Sequence, residues 1–430
     1  MRTTSFLESK AFERFEKFFV IASIIAFAGA ILPTNTVENQ GSAEANKFSV
    51  VIQLAVFPLL TLLVLVHGRR ILNAIRSMPW VIVLCTLAVG SAAWSYEPGF
   101  TLRRAVVLLA FTLLGVYIGA NFEQEEQIEL FGWALLYMVI VSYIVIIVAP
   151  DYGISHDLHN GAWKGVFTHK NTLGRVIGFG LALLIFARPK IGPTIARVGL
   201  LLATAILLTF SFSSTALISV VGCLAAYPFV WVLRARAKRT VPLWVVLIVP
   251  ALILVVLVGI NYGAVATMFG KDPTLSGRTD LWAAVVDAIK IHPWFGYGYS
   301  VFWSKPGAET LLTASRAKYG AMPVHAHNGY LDLALDLGFF GVLIFAYGLL
   351  KMIWLAVIAA KDESNEASAW PLMFLVYYVL FNVTESNLLI SRAFLWLPFI
   401  SIYVTLMRDH VTAPSYAPEK SLPTEFATAQ

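Results

Sequence analysis

The chain has 430 residues, 58% of them hydrophobic and only 13% charged, and its mean hydropathy is +0.75. Soluble globular chains carry roughly 25% charged residues, so the composition excludes that class and describes an all-α polytopic membrane protein. A net charge of +6 fits cationic cytoplasmic loops and does not call for nucleic acid.

A bilayer span needs about 20 apolar residues, which leaves room for ten to twelve spans and one sizeable loop. Twelve apolar runs fall near 18–33, 48–67, 79–95, 105–120, 130–149, 172–187, 197–212, 215–233, 241–262, 328–350, 369–386 and 388–407. The first follows Lys10, Arg14 and Lys17 without a small-residue cleavage pattern, so it reads as a retained span. Cys85 and Cys223 lie inside apolar runs and suggest neither a disulfide nor a metal site. Cations gather in the N-terminus, after the second run (Arg69, Arg70, Arg76), after the sixth (Arg188, Lys190, Arg197) and after the eighth (Arg234, Arg236, Lys238, Arg239). With twelve spans these all share one side, which is the cytoplasmic side, and both termini lie there. The expected division is 1–261 for nine spans, 262–327 for a large outer loop, 328–407 for three more spans, and 408–430 for a disordered cytoplasmic tail. A second outer connection runs from Pro150 to Asn171; connections of such length are usually functional. No solenoid repeat is visible, and no internal similarity of the kind that builds inverted-repeat transporters.

Polar chemistry concentrates between Ser276 and Gly338. Leu281, Trp282, Val285 and Ile289 follow Arg278 at helical spacing and stop before Pro293, which predicts an amphipathic helix at the membrane interface. An arginine at a helix start opposes the dipole, unless an anion joins it and the free N–H groups there; the alternative is a solvated or lipid-paired arginine. Trp294 and Tyr297, in WFGYGY, suit sugar stacking or an interfacial belt. His325 and His327 stand at the mouth of the tenth run, where a neutral imidazole makes a general base. Loop-bonded histidines are the other reading, and no metal spacing supports a metal site. Asn328, Asp332 and Asp336 continue as a polar stripe, able to orient a histidine, pair with an arginine or serve a structural ion pair. Elsewhere on the outer side lie Arg103 and Arg104, against the orientation bias, and His169, Lys170 and Asn171 with Arg175 one turn later. Snorkelling explains Lys170 and Arg175 equally well. The chemistry that fits is an outer-face enzyme: cations hold a lipid-linked diphosphate, and a histidine takes the proton of an incoming hydroxyl. No nucleotide fingerprint is present, and no cofactor is expected.

Four motifs, SAAWSYEPGFTLRRAVVLLAFTLLG (Ser91–Gly115), FTHKNTLG (Phe167–Gly174), SGRTDLWAAVVDAIKIHPWFGYGY (Ser276–Tyr299) and HAHNGYLDLALDLGFFG (His325–Gly341), resemble the O-antigen ligase / Wzy polymerase superfamily, and within it the exopolysaccharide repeat-unit polymerases of ExoQ type. The resemblance implies a GT-C-like fold of about twelve transmembrane helices with a large periplasmic loop. It implies metal-independent, inverting transfer from an undecaprenyl-diphosphate-linked oligosaccharide in the bacterial inner membrane, alongside a chain-length regulator and export machinery. The family's loop arginine falls on Arg278, and its histidine within His325–Asn328, with His327 preferred as base. A middle-span arginine of many members is replaced by Ser214 in SFSSTAL, so either Arg175 or Lys170 takes that contact or the donor is held differently. A ligase acting on lipid A core or protein shares this chemistry. A flippase fits less well, because the ionisable groups crowd at one boundary rather than at mid-membrane.

Overall fold

The computed structural model describes residues 9–30, 43–156, 160–234, 278–304, 325–389 and 393–412. The apolar run 241–262, most of the large loop and the tail beyond residue 412 lie outside the described residues.

The described residues fold into helices without a named strand. Their order is α1 (Lys10–Ala28), α2 (Ala43–Val66), α3 (Gly68–Arg76), α4 (Pro79–Gly90), α5 (Pro98–Asn121), α6 (Gln124–Val148), α7 (Pro150–Gly153), α8 (Lys170–Ala182), α9 (Thr194–Phe210), α10 (Ser214–Arg234), α11 (Arg278–Ile291), α12 (Gly329–Ala360), α13 (Trp370–Thr384) and α14 (Trp396–Thr412). Local chemistry sets their ends. Proline opens α4 and α5, where no intrahelical N–H is needed. Glu123 and Glu126 form a capping box on α6, and Gly29 closes α1 in the left-handed region.

Eleven of the twelve apolar runs overlap described helices. Four helices are long and apolar enough to cross a membrane: Pro98–Asn121, Gln124–Val148, Gly329–Ala360 and Ala367–Thr384. The pair Ala55–Val66 and Gly68–Arg76, bent by 93°, is a broken span or a re-entrant loop and makes a fifth only if counted as one span. The expected twelve spans are therefore not reached by length among the described residues. Several runs fold shorter because the backbone interrupts them: α8 passes into a π turn at Leu183–Ala187 and ends at Arg188, whose φ is 52°.

The expected amphipathic helix is α11, which buries Leu281, Val285, Ala288 and Ile289. The expected span near 328–350 falls in α12, with a break inside it. Gly338 breaks α12 with φ 63° and ψ −164°, and a Cβ there would strike the Trp294 carbonyl. The loop after α11 takes over the freed backbone groups. Phe339 N–H donates to Pro293 O at 2.8 Å and Phe340 N–H to Trp294 O at 3.2 Å; Tyr297 N–H donates to Leu335 O at 2.8 Å and Gly298 N–H to Asp336 O at 3.1 Å. A buried break is tolerated because its polar groups are re-paired.

The core is tightest between α5 and α14. Gly115 and Gly119 form a small-residue ridge on which α14 lies; a Cβ on Gly115 would stand 2.8 Å from Ile400 Cβ, and one on Gly119 would meet the Ser401 carbonyl oxygen. Two buried polar bonds lock this pair and its neighbours, Gln127 Nε2 to Thr405 Oγ1 at 2.6 Å and Trp396 Nε1 to Thr112 Oγ1 at 3.0 Å. At the opposite end from the candidate site, Glu16 of α1 accepts the Tyr117 hydroxyl of α5 and stands 2.8 Å from His67 Nε2 at the α2–α3 corner. Gly119→Val should cost about 1–3 kcal/mol or more by overpacking and lower the melting temperature of the detergent-purified protein. Gly99→Ala, at a glycine with nothing within 4 Å, should leave it unchanged.

Candidate active site

The site centres on a residue that the sequence reading passed over. α13 ends at Thr384 and the chain leaves in an extended conformation at Glu385. Asparagines hold the turn that follows: Asn382 Oδ1 accepts Asn387 N–H at 2.8 Å, and Asn387 Oδ1 accepts Leu395 N–H at 2.9 Å. Glu385 is thereby fixed and only 7% exposed. The signal was present in NVTESN (Asn382–Asn387): an acid at the end of an apolar run is expensive unless it is used.

Three segments converge on this carboxylate. Arg278, at the start of α11, places Nη2 2.9 Å from Glu385 Oε1 and bonds the Thr384 carbonyl through Nη1. Asn171 Nδ2, from the first turn of α8, donates to the same Oε1 at 2.8 Å. His327 Nδ1 stands 3.5 Å from Oε2, close enough for charge to act but outside hydrogen-bond geometry. Burial alone would raise the Glu385 carboxyl. The contact with His327 and the charges of His327, Arg278 and His325 outweigh it and bring the pKa down to about 2, so the group is a carboxylate at neutral pH.

His327 has φ 50°, a left-handed conformation rare outside glycine, and its neighbours enforce it. His325 Nδ1 accepts the His327 backbone N–H at 3.2 Å, and the two rings meet edge-on at 4.1 Å. Burial first, then His327, lowers the His325 pKa to about 3, which keeps that Nδ1 lone pair free at neutral pH. Asp332 clamps the turn from below. It accepts Ala326 N–H at 3.0 Å, Trp303 Nε1 at 2.9 Å and the Ser386 hydroxyl. Ser386 Oγ in turn accepts Asn328 N–H at 3.1 Å, and Asn328 caps α12 through Tyr330 and Leu331 N–H. Asp332 therefore orients the histidines rather than lining an open stripe.

Arg175 completes the cluster. Its Nε is buried without a hydrogen-bond partner, and its charge acts on Glu385. His169 caps α8 by accepting Asn171 N–H at 3.1 Å, and Lys170 is the helix's first residue. Ser214, where many members of the resembled family carry arginine, is exposed and opens α10. Its neighbour Ser213 packs on Gly174, and Thr215 Oγ1 lies 2.8 Å from Thr384 Oγ1.

Other expected residues stand apart. Arg103 and Arg104 lie over the Phe100 ring at 5.4 and 5.0 Å. Asp336 faces Ser300 and Tyr299. Tyr297 is corrected from a sugar-binding residue to a packing one: it is 4% exposed and its hydroxyl donates to Ala288 O at 2.9 Å. Trp294 is exposed, at the break in α12. His325, His327 and Glu385 bring ligand atoms within 4.8 Å of one another, the set a metal would use, although Arg278 against the carboxylate opposes a dication. Asp332→Ala strips the acceptor from buried donors at about 1–3 kcal/mol each. It should speed limited proteolysis between residues 293 and 327 in the purified protein, and unchanged cleavage would remove Asp332 from the role of clamp.

Residues 198–346 match the O-antigen ligase family (Wzy_C). This stretch contains Arg278, His325, His327 and Asp332, whereas Arg175 and Glu385 lie outside it. Over 381 residues the chain is 24% identical to the exopolysaccharide production protein ExoQ of Rhizobium meliloti (strain 1021), covering 84% of this chain and 82% of that protein. A shorter similarity, 28% over 110 residues, links it to a provisionally named polysaccharide ligase of Rickettsia felis and spans 25% of this chain and 26% of that one. Residues 198–346 are therefore similar to the O-antigen ligase family, within a membrane protein, helical among the described residues, that is similar over most of its length to an exopolysaccharide production protein.

Proposed function

We propose that the protein polymerises undecaprenyl-diphosphate-linked oligosaccharide repeat units into exopolysaccharide at the periplasmic face of the bacterial inner membrane, with both termini cytoplasmic and a GT-C-like arrangement of spans. The observation that carries this reading is the convergence of Arg278, Arg175, Asn171 and His327 on Glu385. It is a cationic, donor-rich cluster, two of whose members, Arg278 and Asn171, stand in first helical turns, and it suits a diphosphate.

In the proposed step an acceptor sugar hydroxyl attacks the anomeric carbon of the donor. His327 takes the hydroxyl proton. Its Nδ1 faces Glu385, so Nε2 is the basic nitrogen, and the carboxylate stabilises the imidazolium that forms. The new glycosidic bond forms as the anomeric C–O bond to the diphosphate breaks. The electron pair leaves with the diphosphate, whose charge Arg278 and Arg175 meet. Attack opposite the leaving group inverts the anomeric centre. Arg175 fills the role of the family arginine missing at Ser214. That reading is supported by the buried, unpartnered Nε and by the packing of Ser213 on Gly174, the residue beside Arg175. No metal or cofactor enters the step. A chain-length regulator and export machinery are the partners this activity calls for.

A ligase reading has the family match and the Rickettsia similarity in its favour. Deletion followed by glycan sizing separates the two: single lipid-linked repeats accumulate if the protein polymerises, and long lipid-linked chains if it ligates.

Arg278→Ala and Arg175→Ala should each lower polymer synthesis by about 100-fold to 1,000-fold, the usual cost of removing one group that stabilises developing charge, while insertion stays normal. Full polymer from Arg175→Ala would return the second contact to Lys170 or another cation. His327→Ala should remove about 100-fold to 10,000-fold of the rate. His325→Asn, whose Oδ1 can replace Nδ1 as acceptor of the His327 N–H, should retain most activity. The reverse result would move the base to His325.

A further inference from the structure

The break in α12 divides that helix by charge. Gly329–Leu337 carries Asp332 and Asp336, whereas Phe339–Ala360 carries one charge, Lys351, in its far half. The second part has about 22 residues and rises about 33 Å, enough for a hydrocarbon core of about 30 Å without the first. Its exposed side chains, Leu343, Tyr347, Leu350 and Trp354, repeat at three- and four-residue spacing and form one apolar stripe.

Aromatics ring the top of this stripe. Trp94, Trp294, Phe295, Phe339 and Phe340 are 40–61% exposed. They also touch one another: Phe295 stacks on Phe340 at 4.9 Å, Trp94 meets Phe295 edge-on at 5.6 Å, and Trp294 approaches Phe339 and Phe340 at 6.1 and 6.0 Å. The Trp94 indole N–H reaches the Phe295 carbonyl at 3.2 Å. α5, a 24-residue helix long enough to span, begins at Pro98 just after Trp94. Two spans from distant parts of the sequence therefore start at one aromatic rim. Large exposed aromatic clusters mark interaction surfaces, and tryptophan at the end of an apolar stripe, here Trp94 and Trp294, marks a bilayer boundary.

The geometry points to this cluster as the seat of the protein in the headgroup–acyl boundary of the leaflet on the site's side, with phospholipid as its occupant. The break at Gly338 then marks the edge of the hydrocarbon. Asp332, Asp336, His325 and His327 stand on the water side of that edge, and the inference holds whichever reaction the site performs.

The test is depth-dependent fluorescence quenching of the full chain in phosphatidylcholine vesicles brominated either near the headgroup or near the chain end. The difference between wild type and the W94F/W294F double variant isolates the rim. Stronger quenching of that difference by shallow bromine is expected. Stronger quenching by deep bromine, or none by either, overturns the proposal, the second outcome meaning that protein covers the cluster. Recovery of the difference signal on adding trace undecaprenyl phosphate would make the cluster a polyprenyl seat and would likewise overturn phospholipid as occupant. A spin label at Phe339→Cys gives a second reading. It should be relaxed by both oxygen and an aqueous nickel chelate, whereas Leu350→Cys should respond to oxygen alone; a Phe339 label that behaves like Leu350 overturns the boundary.

Discussion

A carboxylate shut away from water survives as a charge only where cations and donors surround it, and Glu385 is so surrounded. Arg278 from α11, Asn171 from α8 and His327 from the turn before α12 all aim at it. These residues are distant in sequence and share no secondary structure. One buried anion gives them a common target, and a charged group is stronger glue than a neutral one in a low-dielectric setting. The same anion holds the Arg278 side chain in place. Arg175 adds a second cation, whose buried Nε has no hydrogen-bond partner.

Around that centre the supporting contacts are backbone-directed. Asp332, Ser386, Asn328, Asn382 and Asn387 spend their oxygen atoms on N–H groups or hydroxyls of the turns that carry His327 and Glu385. Gly329 keeps α12 close to this arrangement, since a Cβ there would stand 2.5 Å from Asn382 Oδ1. Polar networks of this kind rigidify when every member is satisfied. That rigidity holds His327 at a φ of 50°.

The apolar runs, α11 and the choice of Arg278 and the His325–His327 turn as candidate site residues were legible in the sequence. Each is written in a local pattern, whether helical spacing, a stop at Pro293 or ionisable residues gathered where hydrocarbon ends. Glu385 was not, because it sits at the edge of an apolar run and its value depends on partners from three distant segments. The break at Gly338 was hidden for a related reason: glycine in an apolar run reads as a tolerated helix residue, and only the opposing Pro293–Gly298 segment makes it a discontinuity. Tyr297 looked like a binding aromatic from its glycine-rich setting, yet the same glycines let its ring fold inward.

The broken helix also bears on how the chain is made. Neither part of α12 satisfies its backbone by itself at the break; the Leu335 and Asp336 carbonyls and the Phe339 and Phe340 N–H groups rely on partners at Pro293–Gly298, which leave the ribosome earlier. The break can close only once that segment lies beside it, so α12 and the loop after α11 complete their hydrogen bonding together.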